Sequence, residues 1–234
     1  MQGGANASGE MLKPYYLQRG CAAAIAGMAW FGLVVQLCFN IEEALIKNLS
    51  VPARMFAFFS YFTIEINLLI AIVLTIFLTQ PQAEHFLNRP SIKSALVVYI
   101  IIVGVVYAVL LRNLWNPQRL RLLADRVLHD AIPVLYPLYW LVFLPKGSLR
   151  WSNSVTWLLY PVLFFFYSMV RGAVFGTYSY PFLNAAELGF ARVSLNATVL
   201  LGVFFGLGVA LTAIDHALGS GERERSGLGR AAEL

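Results

Sequence analysis

Charge is what this 234-residue chain has least of: Asp, Glu, Lys and Arg make up 12% of it, against 59% hydrophobic residues. An average soluble domain carries about 25% charged residues, so that shortage excludes an ordinary soluble domain. The mean hydropathy of +0.69 fits a chain whose solvent is lipid. Cysteine is scarce too. Cys21 and Cys38 both fall in the first apolar run, about five helical turns apart, too far to pair with each other, so no disulfide framework follows. Only three histidines exist, His85, His129 and His216, with none of the paired His or Cys spacing that builds a metal site and no His pair on facing spans for haem. A Gly-rich phosphate loop, a GxSxG elbow and a dinucleotide fingerprint are all missing. The residues therefore point to no metal and no cofactor. No internal repeat is evident, which weighs against an inverted-repeat transporter. The net charge of +5 gives ordinary affinity for anionic headgroups and no case for nucleic acid.

What is present in quantity is long apolar runs. A helix needs about 20 mostly apolar residues to cross about 30 Å of hydrocarbon. Six stretches qualify: Cys21–Ile41, Phe56–Leu78, Ser94–Leu111, Val127–Leu144, Val155–Val170 and Phe190–Ile214. The fifth is the shortest and relies on Trp151 and Trp157 as interfacial anchors. The first begins too far in and is too long for a cleaved signal peptide. The expected fold is all-α, a polytopic membrane protein with a bundle of six transmembrane helices over residues 19–216, flanked by flexible segments 1–18 and 217–234. Both termini then share one side of the bilayer. That side holds nine Lys and Arg and the other eight, so the positive-inside rule gives a near tie that leans, through the C-terminal tail, to cytoplasmic termini.

Polar residues inside such runs are costly unless they face a protein interior or a wet cavity. In the second run Ser60, Thr63 and Asn67 are three and four residues apart, which stacks them on one helix face. Glu65 points almost the opposite way and needs its own partner, for which Arg112 and Arg171 are candidates. In the fourth run Asp125, His129, Pro133, Tyr136 or Pro137, and Trp140 form a stripe at helical spacing. Asp125 lies one turn before His129 and is placed to accept its ring proton, with Asp130 the weaker candidate. Pro133 cannot donate to the carbonyl of His129, which frees the backbone there and favours a kink. Later, Arg171 closes the fifth run and precedes Gly176–Asn184, whose Tyr180-Pro181-Phe182 turn reads either as an aromatic belt or as an entrance where Arg171 meets an anionic group.

A hydroxyl on one span and an imidazole on another are a potential nucleophile and base. Both have bland readings: a membrane Thr usually bonds its own helix carbonyl four residues back, and a His at the interface often bonds a loop. Taken together, Tyr61-Phe62-Thr63, then Leu128-His129 with Ile132-Pro133, then Gly176 with Tyr180-Pro181-Phe182-Leu183 resemble, in order and spacing, the androgen-induced six-span membrane proteins. Leu110-Leu111-Arg112 and the stretch Trp140–Gly147 with Pro145-Lys146-Gly147 resemble the bacterial-type members. The resemblance runs from the first span to the sixth. It implies an intramembrane hydrolase of fatty acid esters of hydroxy fatty acids or similar lipid acyl esters, with Thr63 as nucleophile and His129 as base. The chain departs from the animal pattern in the loop after the fourth span and at Glu65 and Asn67, which bears on the substrate more than on the chemistry.

Around that pair, Asp125 is expected to orient His129, and Asn67, Ser60 or Arg112 to donate to the developing oxyanion. Arg112, Arg171, Tyr180 and Trp140 are the expected substrate contacts. The partners implied are the lipid bilayer and a membrane lipid or fatty acid ester. Two other classes compete with the hydrolase: a lipid or small-molecule transporter or channel, and a non-catalytic scaffold in which Thr63 and His129 only bond across helices.

Overall fold

The computed structural model describes residues 4–80 and 85–231, with side chains over 14–80 and 85–220. Every regular element in it is helical: α1 (Gly4–Ile46), α2 (Val51–Phe58), α3 (Phe62–Thr79), α4 (Pro90–Val106), α5 (Arg119–Arg126), α6 (Ile132–Phe143), α7 (Trp151–Thr156), α8 (Leu159–Phe175) and α9 (Ala185–Ala231). Of the flanks expected to be flexible, 1–3 and 232–234 lie outside the described residues, as do the side chains of 4–13 and 221–231.

Five helical stretches are long and apolar enough to cross a membrane: Pro14–Ile46, Phe62–Thr79, Pro90–Leu114, Trp151–Phe175 and Ala185–Ser220. The expected fourth span is not among them. It lies in the helical run Arg119–Phe143, where α5 passes into α6 through one π-turn at Val127–Ala131. Arg119, Arg121, Asp125, Arg126, His129 and Asp130 all fall in its first half and dilute the apolar stretch. The second expected run also differs. It is broken at Phe59–Tyr61, where Tyr61 is extended (φ −95°, ψ 126°) and the Ser60 hydroxyl donates to the Phe56 carbonyl at 2.7 Å. Thr63 therefore sits in the first turn of α3, not in mid-helix. The last helix bends at Gly189, whose φ of 75° is a conformation glycine adopts without strain.

The packed centre is built from α3 and α4, about half of whose residues are buried. Around them lies a stripe of small side chains on α1, Ala22, Ala26 and Ala29, which allows the close helix approach that membrane packing favours. Polar side chains tie the layers together: Tyr99 donates to the Trp157 carbonyl at 2.6 Å, and Trp140 to the Ser94 hydroxyl at 2.7 Å. Outward-facing Val109, Val142, Val174 and Phe190 are more than half exposed, as the lipid-facing side of such a bundle requires.

Candidate active site

Thr63 and His129 line the same cavity. It measures about 390 Å³ and is lined by residues of α1, α2, α3, the Tyr107–Trp115 segment, α5, the Val127–Ala131 turn and the Ser179–Pro181 turn. Thr63 also lines a second, smaller cavity of about 80 Å³ whose walls, Phe62, Ile102, Val103, Phe164, Leu200 and Phe204 among them, are almost wholly apolar. The hydroxyl-bearing residue thus stands at the boundary between a chamber of mixed polarity and a hydrocarbon slot, together with Tyr180 and Leu111, which line both.

The position of Thr63 changes what its hydroxyl does. Thr75, Thr79, Thr198 and Thr212 each donate to the carbonyl four residues back, the usual fate of a helical Thr. Thr63 makes no such bond, because α3 starts at Phe62 and offers no helical carbonyl behind it. Its amide donates instead to the Tyr180 hydroxyl at 3.3 Å. Tyr180 is 8% exposed, and burial pushes its phenol up to about 12, so it keeps its proton at neutral pH and remains a donor. The helix N-terminus beneath Thr63 adds positive potential where an alkoxide or oxyanion would form.

His129 is held by the backbone. Its Nδ1 lies 3.0 Å from the carbonyl oxygen of Asp125. A carbonyl only accepts, so this contact puts the ring proton on Nδ1 and leaves the Nε2 lone pair free, the tautomer a general base needs. The Asp125 carboxylate is close as well, Oδ1 at 3.1 Å, but the geometry is not that of a hydrogen bond and Oδ1 has no partner. Its other oxygen accepts from the Tyr107 hydroxyl. Asp130 is committed elsewhere, bonded by Arg112 and, at 2.8 Å, by Arg126.

Two π-turns face each other here. Tyr107 opens the one at Tyr107–Leu111, where the Arg112 amide reaches the Tyr107 carbonyl. His129 lies in the other, where the Ile132 amide reaches the Val127 carbonyl. Pro133 explains the second, since it removes the amide that would bond the His129 carbonyl. Gly104 lets the two helices meet: a Cβ there would lie 2.8 Å from the Cβ of Pro133. Single π-turns inside α-helices are rare and recur at functional sites.

The other expected residues divide. Asn67 is fully buried and bridges the two halves of the site, its Nδ2 donating to the Thr63 carbonyl at 2.9 Å and to the Leu128 carbonyl at 3.3 Å. Ser60 shares a 2.6 Å bond with the Tyr167 hydroxyl. Asn67 and Ser60 are thus already committed as donors, whereas Arg112, bonded to Asp130, keeps an Nε without a partner. Glu65 is partnered by Tyr160 at 2.6 Å, not by an arginine. Arg171 donates to the Thr177 carbonyl at 2.9 Å and so fastens the turn that carries Tyr180; it lines neither cavity. Arg112 and Trp140 line neither as well, Trp140 being packed against Ser94 and Lys146. The residues that sequence reasoning missed are Tyr107 and the cavity-lining Arg54 and Arg121. The two arginines count as topological charges until the fold turns them inward. Comparison with protein-family models, with curated proteins and with solved structures gives no match for this chain.

Proposed function

We propose that this protein is an intramembrane hydrolase of lipid acyl esters, with Thr63 as nucleophile and His129 as general base. The observation that carries the reading is the double position of Thr63, which lines both the apolar slot and the chamber that contains His129. An acyl chain in the slot would be held by burial at about 0.8 kcal/mol per methylene, with its carbonyl at the Thr63 hydroxyl and its alcohol portion in the larger chamber. His129 Nε2 takes the proton as Oγ1 of Thr63 attacks the carbonyl carbon. It returns that proton to the departing alkoxide as the ester C–O bond breaks, leaving an acyl-threonine. Water from the chamber, deprotonated by the same nitrogen, then releases the fatty acid and restores the hydroxyl. The Tyr180 hydroxyl is the candidate oxyanion donor, since it already meets the Thr63 amide.

The resemblance to the androgen-induced six-span proteins supports the same assignment of Thr63 and His129. In this reading the run Arg119–Phe143 is a sixth span, whose ionisable first half faces the chamber and not lipid, and both termini are cytoplasmic. The test is turnover of a medium-chain acyl ester by the purified protein in detergent. Thr63→Ala and His129→Ala should each abolish it while leaving the chain folded, and near wild-type turnover by either variant would refute the assignment.

A further inference from the structure

Arg54 on α2 and Arg121 on α5 reach the large chamber from two different elements. Both guanidinium groups share one oxygen of Glu43, at 3.4 Å and 3.5 Å, while its other oxygen pairs with Lys47 at 2.6 Å. One carboxylate thus faces three cations. Each guanidinium carries five N–H donors, and the Nε of both arginines is buried without a partner. Arg121 is further fixed by stacking over Trp115 and Phe39, at 5.2 Å and 5.8 Å from the ring centroids. Two half-buried guanidinium groups with unspent donors, lining one cavity from different elements, form an arrangement suited to bidentate recognition of an anion.

We propose that Arg54 and Arg121 form a binding site for the single anionic group, carboxylate or phosphate, of an amphiphile that occupies this chamber. Resting on the hydrolase reading, the site sets the polarity of the substrate: the acyl chain lies in the apolar slot beyond Thr63, and the anion terminates the alcohol portion on the opposite side. The leaving group then departs as an anionic alcohol. Binding at the two arginines does not itself require catalysis, which allows it to be tested apart from hydrolysis.

The experiment measures the affinity of the full-length protein, in a non-ionic detergent, for three probes that contain no ester: octanoate, octyl phosphate and octanol. The wild type is expected to bind at least one of the anions about tenfold or more tightly than octanol, and the better anion identifies the source of the charge. Arg54→Gln with Arg121→Gln should remove that preference, whereas Arg121→Lys, which keeps the charge but not the planar fork, should retain part of it. Equal affinity of the wild type for anions and alcohol overturns the proposal, and so does an anion preference that survives in the double variant. Should that variant fail to fold, the wild-type comparison and the Arg121→Lys variant decide alone. Anion binding without esterase activity would leave this site standing and remove the hydrolase reading. Esterase activity without anion preference would do the reverse.

Discussion

Tyr107 lies face to face on His129, with ring centroids 3.9 Å apart and planes inclined by 19°. The same Tyr107 donates its hydroxyl proton to Asp125, whose carbonyl holds His129 Nδ1. Tyrosine, aspartate and histidine thus form a closed unit that fixes the imidazole in plane, tautomer and direction. His129 Nε2 takes part in none of the three contacts.

Tyr107→Phe keeps the stacked ring and removes only the bond to Asp125. It is expected to lower kcat for a medium-chain ester about tenfold, the low end of the loss seen when the partner behind a metal-ligating histidine is removed, with little change in KM. A merely structural tyrosine would leave the pH dependence of kcat unmoved, whereas a positioning residue shifts its lower limb. Unchanged kcat and an unchanged pH profile would remove Tyr107 from the site.

Asp125→Asn should cost less activity than His129→Ala, because the Nδ1 proton is held by the Asp125 backbone carbonyl, which the substitution leaves in place. Steady-state turnover of the two variants, each checked for folding by thermal melting in detergent, tests the order. Equal loss in well-folded protein would make the carboxylate a full catalytic partner.

Asn67→Ala cuts the tether between the Thr63 and Leu128 carbonyls. A loss of about 1 kcal/mol of stability is expected, the usual scale of a net hydrogen bond, together with a fall in kcat larger than that of an equally destabilising substitution remote from the site. A proportionate fall would mean that Asn67 serves packing alone.

Part of this site was legible before the fold was known, for physical reasons specific to each residue. Helical spacing puts Ser60, Thr63 and Asn67 on one face; Thr63 and Asn67 keep that relation on α3, while the break at Phe59–Tyr61 takes Ser60 off the helix, onto Phe56 and Tyr167, and makes Thr63 a first-turn residue. Asp125 and His129 are one turn apart on any helix, and they meet. Pro133 marked the altered backbone near His129, but no residue type encodes the matching π-turn at Tyr107–Leu111. Arg171 and Arg112 looked like anion-binding residues because they end apolar runs. The fold instead turns Arg171 to the Thr177 carbonyl and Arg112 to Asp130, outside both cavities, and it sets Arg54 and Arg121 along the chamber through the packing of α2 and α5 against α1, a long-range arrangement that local periodicity does not carry.

The slot beyond Thr63 makes a further prediction. Ala197 lines it, so Ala197→Phe fills space that an acyl chain would occupy. The variant should lose kcat/KM on long-chain esters while acetate and butyrate esters are largely spared. An equal loss across the series would place the acyl chain elsewhere.

The most direct measurement is the covalent state of Thr63 itself. Purified protein is incubated with a medium-chain β-lactone, which acylates an activated hydroxyl and releases no leaving group, and peptides are then mapped by mass spectrometry. The account predicts a single adduct of the lactone's mass on Thr63, absent from His129→Ala and formed more slowly while a long-chain ester is present in excess. An adduct on another residue, or esterase activity that survives in Thr63→Ala, would contradict it.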